Sequence, residues 1–152
     1  MTFSPWRPIV DELTHAVQAS ALPNVDQWKF HAEEPIYHAA DAKHCAVWFD
    51  SFAIAEENGT TGDLEYVAAF GIRYWEPAPE RASGLVVDEE AMAEIEAILE
   101  GLCAVIADNE GGLGTSYETW LMGGGKFRLD EGGAAIRGCE IAVRARMRRA
   151  LT

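Results

Sequence analysis

The clearest pattern in the chain is its last alternation of apolar and polar positions. Ile141, Val143, Ala145 and Met147 point one way, and Ala142, Arg144, Arg146 and Arg148 point the other. A period of two predicts a strand with one face on a core and one face open. Residues 64–75 follow the same rule, with Leu64, Tyr66, Ala68, Phe70, Ile72 and Tyr74 on one face and Glu65, Val67, Ala69, Gly71 and Arg73 on the other. The strand predicted before it, 44–55, is apolar on both faces, with Val47 and Phe49 opposing Trp48, Phe52 and Ile54. Such a strand belongs in a sheet centre or beneath another subunit. The two are joined through Glu56–Gly62, where Asn58-Gly59 is a turn signal.

Helical spacing appears twice. Val10, Leu13, Val17 and Ala21 predict an amphipathic helix over 8–20, opened near Ser4, Pro5 and Pro8 and ended by Leu22-Pro23-Asn24. Met92, Ile95, Ile98, Leu99, Leu102, Val105 and Ile106 predict a second helix over 88–107, with Asp88-Glu89-Glu90 in the first turn, where the macrodipole favours acids. A short strand over 25–30, a loop over 31–43 broken by Pro35, and a loop over 77–87 fill the spaces between. After Gly111–Gly114 come a strand over 115–122, a turn at Gly123-Gly124-Gly125, a short strand over 126–129, a Gly132-Gly133 turn and the final strand. There is no internal repeat and no dividing linker. The expectation is one α+β domain over residues 1–152: a largely antiparallel sheet packed against two main helices, with Ile95, Leu99 and Leu102 in the core.

Length and composition agree with that architecture. A chain of 152 residues suffices for one core without staples, and 49% hydrophobic with 24% charged residues is ordinary globular usage. Neither a basic start with a long apolar run nor a membrane-length apolar segment is visible, so neither secretion nor membrane insertion is expected. Cys45, Cys103 and Cys139 are odd in number and each lies in an apolar segment, which predicts buried free thiols in a reducing compartment. The formal charge is -13, which disfavours nucleic-acid binding over the general surface. That charge is unevenly spread. Residues 1–110 hold 21 acids and 5 basic residues, a net of -16, whereas residues 111–152 hold 4 acids and 7 basic residues, a net of +3. A chain with surfaces of opposite sign can pair head to tail with copies of itself.

No arrangement of residues asks for catalysis or a cofactor. His31, His38 and His44 with Glu33, Glu34 and Asp41 match no ligand spacing such as HExxH, and loop histidines beside acids are usually solvated. Glu89, Glu90, Glu94 and Glu96 fall on the polar face of a helix. Gly123-Gly124-Gly125-Lys126 lacks the Ser or Thr that a phosphate loop needs, since Phe127 follows the lysine. Ser83 and Ser116 have no GxSxG context. The candidate functional residues are therefore those of an assembly surface. Arg144, Arg146 and Arg148 could simply protect an edge strand, but Arg148-Arg149 and Arg137 extend the run beyond what that requires, and the three are expected to meet acids of a neighbouring subunit or layer, or to line a lumen and touch passing DNA. Trp6, near the N-terminus, and Trp48, on the strand apolar on both faces, join them as interface candidates.

A helix closed by Leu22-Pro23, a short strand, a long antiparallel pair, a second helix and C-terminal strands carrying Gly138-Cys139-Glu140-Ile141-Ala142-Val143, a G-x-E-I-x-V phrase, resemble the tail terminator proteins of long-tailed bacteriophages over nearly the whole chain. The resemblance implies a subunit of a hexameric ring that caps the tail tube beneath the head, stops tube polymerisation and joins tail to head-completion proteins. It implies a virion location after assembly in the host cytoplasm. The partners would be other copies, the tail tube protein and a connector protein, with no membrane, catalytic residue or cofactor. The loops at 56–62 and 111–114 would touch layers above and below. Other readings are a different head–tail connector component, a small-molecule-binding or enzymatic α+β domain with Tyr66, Phe70 and Tyr74 facing a pocket, and an acidic DNA mimic, whose acids would stand in rows and here are scattered.

Overall fold

The computed structural model describes residues 7–20, 25, 27–31, 43–58, 63–78, 85–112, 116–131 and 134–150. Its elements are α1 (Arg7–Ala19), β1 (Gln27–His31), β2 (His44–Asn58), β3 (Asp63–Pro77), α2 (Leu85–Ala107), β4 (Ser116–Glu131) and β5 (Ala134–Ala150). The strands form one sheet in the order β1-β2-β3-β5-β4. β1 runs parallel to β2, and the other pairings are antiparallel. The fold is α+β. Both helices supply one core, α1 lying against β2 and α2 against β4 and β5. Among the described residues no helix is long and apolar enough to cross a membrane.

The predicted core faces meet beneath the helices. Ile9, Leu13 and Val17 of α1 and Ile95, Leu102 and Ile106 of α2 are buried against Phe70, Ile72, Tyr74, Ile141, Val143 and Met147. Full burial of each such side chain stabilises the fold by roughly 1.5–3 kcal/mol. Leu99 is half-buried at the margin of this cluster. The end of α2 is tied to β4: Asn109 Nδ2 donates to the Val105 carbonyl at 2.7 Å, Thr119 N to the Glu110 carbonyl at 3.2 Å, and the Thr119 hydroxyl to the Asn109 carbonyl. Gly112 turns the chain there with φ 115°, a left-handed conformation that a side chain would strain.

The structure corrects four details of the sequence reading. Gly123-Gly124-Gly125 is not a turn. It lies within one 16-residue strand that pairs with β5 on both sides of the glycines, so two strands, not three, follow α2. A Cβ on Gly124 would come within 2.9 Å of the Glu140 carbonyl oxygen and 3.3 Å of the Leu99 side chain, so a glycine stands there because helix and strand approach closely. Phe52 and Ile54 share the face of Val47 and Phe49 and do not oppose them. A register shift between Phe49 and Ser51 leaves Asp50 unmatched and inverts the alternation, placing Phe52 across from Ala68 and Ile54 across from Tyr66. The connection expected at 56–62 is shorter, because β2 continues to Asn58 and β3 begins at Asp63. Finally, α2 starts at Leu85, so Leu85-Val86-Val87 is helix and not loop.

Candidate functional site: the open face of the sheet

The sheet face away from the helices carries the polar set predicted from β5. Across it run Trp48 and Asp50 of β2, Arg73, Gly71 and Glu65 of β3, Glu140, Ala142, Arg144, Arg146 and Arg148 of β5, and Phe127, Gly125, Gly123, Trp120 and Glu118 of β4. One end is closed by a small apolar cluster of Ala46, Trp48, Trp75, Ile136 and Phe127. Two aromatic rings there lie over glycines on the facing strand, Trp48 over Gly71 and Phe127 over Gly138. A Cβ at either glycine would collide with the ring, so these pairs let bulky side chains lie flat on an otherwise uncovered sheet.

Beside that cluster Arg73 and Glu140 face each other across the β3–β5 ladder. Arg73 donates from Nη2 at 2.7 Å and from Nε at 2.9 Å to Glu140 Oε2, and its guanidinium lies 4.9 Å from the Trp48 ring centroid. The Arg73 side chain is 4% exposed, so its charge is held by that carboxylate and ring together. The sequence placed Arg73 on this face but did not pair it with Glu140. Only strand register brings the two together.

A shallow groove of about 490 Å³ opens next to this pair, between Trp48, Asp50 and Arg73 on one side and Arg144 on the other, with Gly71, Ala142, Gly123 and Gly125 forming its floor. The arginine row is divided in its partners. Arg146 lies between Glu118 at 3.2 Å and Glu65 at 3.8 Å, with its guanidinium 5.5 Å from the Trp120 ring centroid. Arg144 is half-buried and donates to the Val143 carbonyl at 3.3 Å, with no carboxylate partner among the described residues. Arg148 is exposed at the far end, across from Glu65 in the ladder. Of the other interface candidates, Trp48 is buried in its own sheet's cluster and Trp6 lies outside the described residues.

The titratable groups of the helix side are structural. Arg137 Nη2 bonds Glu76 Oε2 at 3.1 Å, and the Tyr74 hydroxyl donates to Glu76 Oε1 at 3.1 Å. Burial, then the charge and hydrogen bond of Glu76, push the Tyr74 hydroxyl well above its ordinary range. Cys45, Tyr74 and Cys139 form one row across β2, β3 and β5. Burial first, and the neighbouring thiol second, push Cys45 up to about 12, and burial does the same for Cys139. These folded values lie above the ordinary 9.0. The stability the thiols provide is therefore whole below pH 9 and is lost as pH rises from there toward 12, at up to about 1.4 kcal/mol per pH unit for each thiol. At pH 8 a thiol reagent is expected to modify half-buried Cys103 in the native protein, and Cys45 and Cys139 only after unfolding. Three thiols reacting equally fast without denaturant would contradict this burial.

His44, read from sequence as one of a solvated loop group, is instead buried at the start of β2 and stacks on Trp75 with centroids 5.0 Å apart. His31 ends β1, and His38, Glu33, Glu34 and Asp41 lie outside the described residues. Among the described residues no group of three His, Cys, Asp or Glu side chains is placed to hold a metal ion.

No protein-family model matches the chain, and no curated protein matches it either. Among solved structures it is similar to a chain of the virion of a native gene transfer agent particle, with a TM-score of 0.52 and 16% sequence identity over 97% of this chain and 100% of that one. At that identity the likeness is one of fold, and it spans both chains from end to end.

Proposed function

We propose that this chain is a structural virion protein of the tail-terminator type, which assembles with copies of itself into a ring of six between the tail tube and the head. The observation that carries the reading is the end-to-end likeness in fold to a chain of a phage-like virion particle. The G-x-E-I-x-V phrase supports it, since Gly138 to Val143 lie in the strand whose core side anchors the sheet and whose open side bears the arginines. In this role the protein performs no chemistry. Its partners are its own copies, the tail tube protein and a head-completion protein, and it resides at the head–tail junction. Arg144, Arg146 and Arg148, with Trp6, are assigned to contacts within the assembly, while Trp48 is held in its own sheet's cluster. Guanidinium groups suit that task because they bind carboxylates in bidentate fashion and shed water more readily than ammonium groups.

The test is the mass in solution by light scattering. The wild-type protein is expected to form a closed oligomer of several copies. Inverting all three arginines to glutamate is expected to leave a folded chain that no longer assembles. A triple variant with wild-type mass at physiological salt would remove the arginines from the assembly surface, and a wild-type protein that stays monomeric at every concentration would remove the ring.

A further inference from the structure

Three consecutive glycines stand in the middle of β4, where each costs about 0.5–1 kcal/mol relative to alanine. Glycine inside a strand marks a place where another backbone comes close. For Gly124 the neighbour is internal: the Glu140 carbonyl and the Leu99 side chain. Gly123 and Gly125 belong to the other face of the sheet, and a Cβ on either would meet nothing within 4 Å. Neither has a positive φ, so the backbone conformation does not require glycine there. With Ala142 they floor the groove on the open face. Arg144 stands at its wall, half-buried and without a carboxylate partner among the described residues. The groove is thus shaped for a partner whose backbone lies close and which brings a carboxylate.

The chain carries such a surface on its opposite side. Ala93, Ala97, Glu100, Ala104 and Ala107 of α2 recur at four- and three-residue steps and are all exposed, so they form one stripe. Ile95, Ile98, Leu102, Val105 and Ile106 hold the other side of the helix against the core. One-carbon side chains leave the helix backbone close to its surface. Glu100 stands at the centre of the stripe, with no basic partner among the described residues. The outer face of α1 offers no such strip, since Arg7, Asp11, Glu12, His15 and Gln18 stand out from it. The charges agree with this pairing of faces: α2 belongs to the acidic part of the chain, residues 1–110, and β4 and β5 to the basic remainder.

We propose that the outer face of α2 in one copy docks on the open sheet face of the next. Its alanines seat over Gly123, Gly125 and Ala142, and Glu100 meets Arg144. The two faces lie on opposite sides of the subunit, so each copy gives one and receives one, and the contact runs head to tail. The neighbour's helix then covers the face that the chain's own helices leave open. α2 lies over β4 and β5, whereas the groove reaches across β3 to Trp48 and Asp50 of β2. The twist of the sheet therefore inclines the two contact faces, and successive copies turn instead of stacking straight. This deepens the ring reading above and rests on it.

The test is sedimentation velocity over a concentration series with Glu100→Arg and Arg144→Glu. Each alone sets like charges face to face at every contact, and is expected to raise the concentration needed for assembly roughly ten-fold. Their equimolar mixture is expected to recover the wild-type mass, because in alternating order every contact again joins unlike charges. Gly123→Val fills the groove at a position free of internal contacts. It is expected to keep the native circular dichroism and to weaken assembly as much. Wild-type assembly by folded Gly123→Val, or no recovery in the mixture of two folded charge variants, would overturn the docking of α2 while leaving the ring itself standing. A monomeric wild type would overturn both. Should Arg144→Glu lose its fold, Ala97→Tyr on the exposed stripe takes its place, and assembly at the wild-type concentration by that variant would count against the proposal.

Discussion

Replacing Gly138 by alanine is expected to cost about 3 kcal/mol, the upper end of what overpacking does. A Cβ at that position would overlap the Tyr74 carbonyl oxygen and stand 2.9 Å from both Trp75 Cα and the Phe127 ring. The first two obstacles are β3 backbone, which no side-chain rotation can move, so the change must push β3 and β5 apart. Gly125→Ala is the matched control, since a Cβ there meets nothing within 4 Å. Its effect should stay within about 0.5 kcal/mol, or be slightly stabilising, because alanine loses less conformational freedom in a strand than glycine. Urea unfolding of both variants makes the comparison. Equal costs would mean that the strands are not so closely apposed at Gly138.

Leu102→Ala should cost about 2–5 kcal/mol, because the side chain is fully buried between α2 and the sheet and its loss leaves a cavity. Leu99→Ala should cost less, since Leu99 is half-buried at the margin of the core. The sequence placed both leucines in the core on equal terms. The structure separates them, and denaturation curves that found Leu99→Ala the more damaging would reverse that order.

The elements whose alternation runs unbroken were the ones legible in the sequence. β5 kept its parity from Ile141 to Met147, and the core face of β3 was correct at every described position from Tyr66 to Tyr74. β2 misled because an unmatched residue, Asp50, inverts the alternation from Ser51 to Ile54, where a second register shift follows before Glu56, and no residue type in that stretch announces a bulge. That inversion moves Phe52 and Ile54 to the helix side of the sheet. The glycine run misled for a different reason. Glycine serves both turns and close approaches, and only the proximity of Leu99 and Glu140 to Gly124 shows which is meant. The arginine row was legible as a face, but its partners were not. Glu65 and Glu118 are 81 and 28 residues from Arg146 in sequence and reach it only through register. The same holds for Arg73 and Glu140, whose ion pair lies beside the apolar cluster around Trp48.

Negative-stain electron microscopy of the assembled protein tests the central claim most directly. Face-on images should show closed rings of uniform diameter with a central opening and one subunit number throughout. Isolated monomers at high concentration, or open filaments of indefinite length, would contradict a subunit built to close upon copies of itself.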